Sequence, residues 1–227
     1  MHINPADLQA IFLTIKLASV VTLILLLLAT PLAWWLARTH SKSKGVVSAL
    51  VALPLVLPPS VLGFYFLLAM GPQGAVGHFL SALGWQALPF TFKGLVVASV
   101  IYSLPFMVQP LQNAFESVGK NLLDAAASLG ASMRRTFFTI VVPLSWPGIL
   151  TAIILTFVHT VGEFGVVLMI GGNIPGVTRV VSVQIYDHVE AFEYSQAHSL
   201  SAMMLIFSFV VLLLIYTLRP NTKSVSH

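Results

Sequence analysis

The sequence predicts an all-α integral membrane protein with about five membrane-spanning helices. Of its 227 residues, 57% are hydrophobic and only 8% are charged, whereas a soluble domain carries about 25% charged residues. The apolar residues also form five long stretches, each near the ~20 residues that a helix needs to cross a ~30 Å bilayer core. We place these spans at residues 11–37, 46–70, 92–115, 147–171 and 197–218 of a single domain, residues 1–227.

The basic residues predict the direction of the spans. Five spans put the termini on opposite sides, and Lys and Arg are enriched in cytoplasmic loops. One side carries eight basic residues and the other carries three. The larger group comprises Arg38, Lys42, Lys44, Lys120, Arg134, Arg135, Arg219 and Lys223, and the smaller group comprises Lys16, Lys93 and Arg179. We therefore expect the N-terminus outside and the C-terminus inside.

Several classes of protein are disfavoured by composition. The formal charge of +4 does not indicate nucleic-acid binding, because the basic residues are scattered between apolar segments. The absence of cysteine excludes disulfides and cysteine metal sites.

An odd number of spans cannot divide into two equal inverted halves. Five helices also make a poor closed pathway, so we expect a dimer with the pathway on its two-fold axis.

The longest inner loop, residues 117–143, predicts a short helix that ends at Gly130 in the left-handed conformation. Asn121 followed three residues later by Asp124 resembles a capping box, and a second helical stretch is expected at 131–138. One interpretation is a surface helix lying against the lipid headgroups. The other is a docking helix that inserts into a groove of a partner.

This loop resembles the motif of permeases in binding-protein-dependent ABC importers, which is Glu-Ala-Ala, three residues, Gly, nine residues, Ile, one residue and Leu-Pro. The matching residues here are Asp124, Ala125, Ala126, Gly130, Ile140 and Pro143. The chain departs from the motif at Asp124, in place of Glu, and at Val142, in place of Leu. The resemblance implies a cytoplasmic coupling helix, between spans three and four, that docks on separate ATP-binding subunits.

The chain contains no Gly-x-x-x-x-Gly-Lys-Ser/Thr phosphate loop. ATP and Mg²⁺ are therefore expected on the partner ATPase. We assign no catalytic residue, no cofactor and no metal site to this chain, and we do not expect it to be an enzyme.

Two groups of residues are candidates for the pathway or its gate. Pro58, Pro59 and Ser60 interrupt the second span, and a broken helix is tolerated in a membrane where it lines a cavity or packs on protein. A packing kink is the alternative interpretation. His159 and Glu163 share one face of the fourth span, and an ionisable residue in a span is a functional candidate. We expect these two side chains to hydrogen-bond as a structural or gate-lining pair.

The outer loop after the fourth span has the composition of a turn, with Gly172, Asn173, Pro175 and Gly176. A short helix is expected in the following segment, 179–193. We favour docking of an external binding protein at this loop over a metal site.

Three further strings are similar to the molybdate subgroup of these permeases: Leu-Pro-Leu-Val-Leu-Pro-Pro at 53–59, Gly-Glu-Phe-Gly at 162–165 and Gly-Asn-Ile-Pro-Gly at 172–176. Sulfate and tungstate permeases share parts of them. The resemblance implies a bacterial inner-membrane protein that works with a second permease copy, ATPase subunits and a periplasmic oxyanion-binding protein.

Two alternatives come from other classes. An ion-coupled secondary carrier commonly uses several intramembrane carboxylates, and the predicted spans hold one, Glu163. A membrane enzyme or assembly scaffold would need converging His, Asp or Glu residues.

Overall fold

The computed structural model describes residues 4–218, and this part of the chain is helical without β-strands. The helices are α1 (Pro5–Arg38), α2 (Lys44–Val56), α3 (Pro59–Met70), α4 (Ala75–Ala82), α5 (Phe92–Glu116), α6 (Lys120–Ser128), α7 (Met133–Thr136), a π-helical turn (Phe137–Val141), α8 (Val142–Val161), α9 (Gly165–Gly171), α10 (Val181–Glu190) and α11 (Tyr194–Leu218). Two of the basic residues used to predict orientation, Arg219 and Lys223, lie outside the described residues.

Within the described part, five helical stretches are long and apolar enough to cross a membrane. They are Pro5–Arg38, Pro59–Ala82, Phe92–Glu116, Met133–Val161 and Tyr194–Leu214. The predicted all-α membrane class is therefore confirmed. We call the membrane side on which α1 begins the N side, and the side on which α1 ends the C side.

Two of the predicted spans are each divided into two helices. The second, 46–70, ends its first helix at Val56 and restarts at Pro59. Pro58 and Pro59 lack backbone donors, and each proline disfavours helical geometry in the residue before it, so the chain opens here. The fourth, 147–171, is divided between α8 and α9 at residues 162–164. No proline lies at this second break, which the sequence did not predict.

Helices α1 and α5 form the continuous scaffold. Helix α1 begins at a capping box, in which the Asn4 side chain accepts a hydrogen bond from the Ala6 amide and Asp7 accepts one from the Asn4 amide. Its 34 residues span about 51 Å. Ala29 and Ala33 on α1 are fully buried, and their small side chains permit close packing of neighbouring helices.

The C-side ends of α1 and α5 are tied together by Arg38. Its Nη2 donates to the carbonyl of Phe115 at 2.8 Å and to that of Val118 at 2.9 Å. The guanidinium also lies 4.9 Å from the centroid of the Trp34 ring. Because Val118 lies in the short connection between α5 and α6, this arginine fixes where that connection leaves the scaffold.

The predicted helix in the C-side loop is present, but its start differs from the prediction. Gly119 is the N-cap and makes no side-chain capping bond, so the proposed capping box of Asn121 and Asp124 is wrong. Asn121 instead lies inside the first turn. Gly130 has φ +76°, as expected for a left-handed residue after a helix. In the predicted stretch 131–138 the helix begins only at Met133, where α7, Met133–Thr136, starts and runs through the π-helical turn, Phe137–Val141, into α8.

Candidate functional site

Two neighbouring clefts lie along one face built from α5 and α8. The cleft towards the N side, the N cleft, has a volume of about 600 Å³. It is lined by Pro59, Ser60, Tyr102, Val158, His159, Gly162, Glu163, Phe164 and Gly165. The cleft towards the C side, the C cleft, has a volume of about 630 Å³ and includes Leu55, Phe106, Gln109, Asn113, Gly148 and Thr151 in its lining.

The lining follows helical spacing. On α5, Tyr102, Phe106, Gln109 and Asn113 are separated by four, three and four residues, which places them on one face of the helix. The sequence analysis missed this face, although the spacing of Tyr102, Gln109 and Asn113 within an apolar span was a readable indication. The two clefts therefore form one groove, which we call the α5/α8 groove.

The break between α2 and α3 lies beside the N cleft. Pro58, Pro59 and Ser60 are all exposed. The amides of Val61 and Leu62 donate to the Pro58 carbonyl, and Pro59 has no N–H. Ser60 is thus the residue of this first turn that offers both a backbone amide and a hydroxyl beside the cleft.

The two breaks in the helices contact each other. A Cβ atom added at Gly165, the first residue of α9, would lie 2.7 Å from Cβ of Pro59, the first residue of α3. One turn further along α3, a Cβ atom at Gly63 would lie 2.6 Å from Cβ of Met169. Glycine is required at both positions for the two half-helices to pack so closely. The N cleft is consequently bounded by the ends of broken helices.

Glu163 lies in the break between α8 and α9, and only 4% of its surface is exposed. Its Oε2 accepts a hydrogen bond from the Ser99 hydroxyl at 2.8 Å, while its Oε1 is buried without a hydrogen-bond partner. Within residues 4–218 no basic side chain pairs with it. Its backbone carbonyl accepts a hydrogen bond from the Ser182 hydroxyl, which fixes the break from the other side.

His159 does not hydrogen-bond to Glu163, so that expectation was wrong. Helix α8 ends at Val161, so the helical i, i+4 geometry that would bring the two side chains together is lost. Instead, Nδ1 of His159 lies 3.0 Å from the hydroxyl of Ser103. The imidazole stacks on the Phe106 ring, with centroids 3.7 Å apart and an angle of 23° between the planes. The side chains of His159 and Glu163 therefore hydrogen-bond to two different serines of α5.

The residues of the loop motif lie on the C side around a hollow of about 410 Å³. Ala125, Ala126 and Ile140 line this hollow, Asp124 lies on α6, and Pro143 lies in the first turn of α8. Large apolar side chains beside it are exposed: Leu122 by 51%, Leu129 by 88% and Met133 by 77%. We call this face, α6 with Leu129 and Met133, the C-side patch.

The N-side loop is ordered by its own side chains. Gly172 and Gly176 have φ +61° and +71°, which glycine adopts without strain. The Asn173 amide donates to Asp187 at 2.8 Å, and residues 173–177, which include Pro175, are exposed. The predicted short helix of this region is α10, Val181–Glu190.

A buried polar network on the N side joins the start of α1 to α10, and the sequence analysis missed it. His188 lies 2.9 Å from Asp7 and 2.7 Å from Glu193, and Gln184 donates to Asp7 at 3.0 Å. Burial would lower the pKa of His188, but the hydrogen bonds to Asp7 and Glu193 outweigh it and raise that pKa. Asp7 is 181 residues from His188, so local spacing gave no indication of the contact.

Within the described residues, no group of three or more His, Cys, Asp or Glu side chains is arranged to hold a metal ion. His188 is engaged by Asp7, Gln184 and Glu193. What the groove offers chemically is hydroxyl, amide and imidazole groups, together with the buried carboxyl of Glu163.

Comparisons with known proteins agree with this architecture. Residues 29–223 match the family described as binding-protein-dependent transport system inner membrane component. The chain is 62% identical over 219 residues to the molybdenum transport system permease protein ModB of Azotobacter vinelandii, covering 96% of this chain and 97% of that protein. It is 34% identical over 212 residues to a probable sulfate transport system permease protein, cysT, of Chlorella vulgaris, covering 93% and 79%.

The fold is also found in a solved structure. A chain of a bacterial ABC transporter involved in import of the acidic polysaccharide alginate has a TM-score of 0.78 at 20% identity, covering 97% of this chain and 82% of that one. The resemblance to ABC importer permeases and the multi-pass inner-membrane location are confirmed. The chain belongs to the family of binding-protein-dependent transport system inner membrane components, the permease subunits of ABC transporters.

Proposed function

We propose that this chain is the channel-forming subunit of an ATP-driven importer that moves molybdate across the inner membrane. The observation that carries the proposal is the 62% identity, over nearly the full length of both chains, to a molybdenum transport permease. Sulfate and tungstate are the alternative cargoes. The similarity to a probable sulfate permease supports sulfate as one of these alternatives.

In this proposal the N side is the periplasm and the C side is the cytoplasm. The excess of Lys and Arg on the C side supports this orientation. The N-side loop, with Gly172, Asn173, Pro175 and Gly176, then faces the periplasm as the docking surface for an oxyanion-binding protein. Its exposed, internally hydrogen-bonded residues suit a surface that must keep its shape before the partner arrives.

Helix α6 is the proposed coupling helix. It stands outside the scaffold, and the C-side patch exposes three large apolar side chains on the cytoplasmic side of the chain. An apolar helix face of this kind fits a groove in a partner protein. We assign that partner as the ATPase subunit, which supplies the sites for ATP and Mg²⁺ because this sequence has no phosphate loop.

A second copy of the chain is proposed to complete the conduit. In one protomer the α5/α8 groove is open along one side, and a two-fold dimer closes such a groove with the equivalent face of its partner. Pro58, Pro59, Ser60, His159 and Glu163 then lie at or beside the pathway. Among the described residues, neither cleft is lined by Lys or Arg, so no basic side chain there would trap a passing oxyanion.

Transport by the purified system tests the proposal. The chain is expressed with its ATPase and binding protein, purified through a tag on the permease and reconstituted in liposomes. We expect the ATPase to copurify and molybdate to accumulate only when ATP is supplied. Uptake that persists without ATP, or a permease that purifies without an ATPase, would contradict the importer. Competition by excess sulfate but not by tungstate would move the cargo assignment to sulfate.

The coupling assignment has a matched pair of variants. Gly130 and Gly84 both have left-handed φ angles, +76° and +74°, and both have open space where a Cβ would lie. Proline fixes φ near −65°, so Gly130→Pro and Gly84→Pro disturb similar turns on opposite sides of the membrane. We expect Gly130→Pro to abolish ATP-driven uptake with membrane insertion intact, and Gly84→Pro to retain it. Equal uptake by the two variants would exclude α6 as the coupling element.

A further inference from the structure

We propose that the stacked rings of Phe106 and His159 form the constriction between the N cleft and the C cleft, and that Phe106 is the ring that moves to open it. The proposal rests on the proposed function, because it takes the α5/α8 groove to be the conduit. The experiment below separates failure of the constriction from failure of the conduit.

The position of the stack is the first observation. His159 and Tyr102 line the N cleft, whereas Phe106 lines the C cleft. The rings of Phe106 and His159 are in face-to-face contact, with centroids 3.7 Å apart. The pair therefore occupies the boundary at which one cleft ends and the other begins.

The two rings are held very differently. His159 is fixed from behind by the hydroxyl of Ser103, which is fully buried and also lies 3.1 Å from the hydroxyl of Thr160. Tyr102 also packs against the imidazole, with ring centroids 5.0 Å apart and an angle of 47° between the planes. Phe106 has no polar atom with which to hold its rotamer. Of the pair, Phe106 is the ring that a change in helix packing can displace at the lower cost.

The backbone around Phe106 is also weakened. Pro105 and Pro110 both lie inside α5, and a proline in a helix interior removes the hydrogen bond to the carbonyl four residues earlier. The carbonyls of Ile101 and Phe106 itself therefore lose their intrahelical donors. Kinks in helices occur at such prolines, so α5 is easiest to bend at the level of the constriction.

The chemistry on either side suits a gate. Ser60 and Glu163 lie in the N cleft, and Gln109 and Asn113 line the C cleft. Between these polar groups stand the stacked ring faces of Phe106 and His159, and a constriction made by such faces excludes water and with it a hydrated ion. An oxyanion released into the N cleft would be held back at Phe106 until α5 bends.

Single-cysteine variants test the constriction, since the chain has no cysteine of its own. Ser60→Cys reports on the N cleft and Asn113→Cys reports on the C cleft. Each is made with Phe106 and with Phe106→Ala in the reconstituted permease–ATPase complex without nucleotide. A membrane-impermeant sulfonate thiol reagent is added to one side, and the rate of modification is measured. Phe207→Ala, which truncates an aromatic residue on α11 away from the groove, is the matched control.

With Phe106 present, we expect Ser60→Cys to react from the N side only and Asn113→Cys from the C side only. Phe106→Ala should raise the rate for Asn113→Cys from the N side by about tenfold or more, and Phe207→Ala should leave it unchanged. If Phe106→Ala leaves every rate unchanged, or if the two reporters already react from both sides with Phe106 present, the constriction is refuted while the conduit stands. If neither reporter reacts from either side, the groove is not aqueous and the proposed function fails with it.

A second variant covers the case in which Phe106→Ala does not assemble. Phe106→Leu keeps most of the side-chain volume, and we expect it to fold and to give an intermediate rate of modification from the N side. Assembly is checked by size-exclusion chromatography of the complex before labelling. If the Phe106→Leu complex elutes normally and its cysteines are modified at the same rates as in the complex with Phe106, the assignment of Phe106 as the gate is also overturned.

Discussion

Helices α1 and α5 are continuous, whereas the pairs α2/α3 and α8/α9 are each interrupted by a break in the helix. Helices α1 and α5 contain prolines at Pro31, Pro105 and Pro110 and still run unbroken. The pairs α2/α3 and α8/α9 open at residues 57–58 and 162–164. Each unsatisfied backbone group in lipid costs several kcal/mol, so an open break is stable only beside protein or a wet cavity. Both breaks adjoin the N cleft.

A single proline therefore does not by itself interrupt a membrane helix in this chain. A lone proline inside a packed helix bends it, whereas the Pro58–Pro59 pair removes two donors at once and stops it. Helix α1 then serves as scaffold and packs on the buried face of α5, whereas the other face of α5 lines the groove together with residues of the interrupted pairs. Scaffold variants should reduce the amount of folded protein, whereas groove variants should reduce transport by the protein that folds.

The largest expected effect falls on the scaffold. Leu25 of α1 is fully buried, and Leu25→Ala should lower the free energy of unfolding by about 2–5 kcal/mol, the usual cost of a large-to-small change in a core. Leu27 lies two residues away with 75% of its side chain exposed, so Leu27→Ala should cost far less. The check is the thermal midpoint in detergent, followed by uptake per folded complex. Equal thermal midpoints for Leu25→Ala and Leu27→Ala would show that the buried and exposed faces of α1 do not differ in their contribution to stability.

A smaller loss is expected where the two interrupted pairs touch. Gly165→Ala would place a Cβ atom 2.7 Å from Cβ of Pro59, and overpacking of this kind costs about 1–3 kcal/mol. The control is Gly45→Ala in α2, where nothing lies within 4 Å of the added atom. Thermal unfolding should show a lowered midpoint for Gly165→Ala alone. If both variants unfold at the same temperature, the half-helices do not pack as described.

The smallest effect concerns the polar network that ties the scaffold to α10. Hydrogen bonds to Asp7 and Glu193 raise the pKa of His188 above its ordinary value of 6.5. Charged His188 is therefore favoured in the folded state. Its contribution to stability is fully present below the unfolded pKa and is lost as pH rises through the folded pKa.

Unfolding midpoints measured from about pH 6 to about pH 9 check this sign. The unmodified protein should lose stability across that range more steeply than His188→Gln, which keeps a hydrogen-bonding side chain but cannot titrate. Parallel pH profiles for the two proteins would show that the network holds His188 without preferring its charged form.

The features predicted correctly from the sequence are those that the backbone properties of one or two residues determine. The Pro58–Pro59 break follows from proline alone, and the left-handed Gly130 follows from glycine alone. The break at 162–164 depends on contacts from elsewhere, among them the Ser182 hydroxyl on the Glu163 carbonyl. Gly162 and Gly165 flank it, but membrane helices tolerate glycine, so these residues alone do not predict a break.

Distant contacts also explain why the hydrogen bond expected between His159 and Glu163 is absent. The partners of His159 and Glu163 are serines of α5, 56 and 64 residues away. The capping box expected at Asn121 fails because the chain enters α6 at Gly119, whereas the one at Asn4 and Asp7 forms at the start of α1.

In the proposed function the α5/α8 groove carries the cargo. The most direct test is ATP-driven molybdate uptake by Ser60→Cys before and after treatment with a charged thiol reagent. Ser81→Cys, at an exposed serine of α4 that lines neither cleft, is the matched control, and the cysteine-free chain sets the background from partner subunits. We predict that modification abolishes uptake by Ser60→Cys, whereas Ser81→Cys loses no more uptake than the cysteine-free chain. Full uptake by a Ser60→Cys protein shown to be modified would contradict the account.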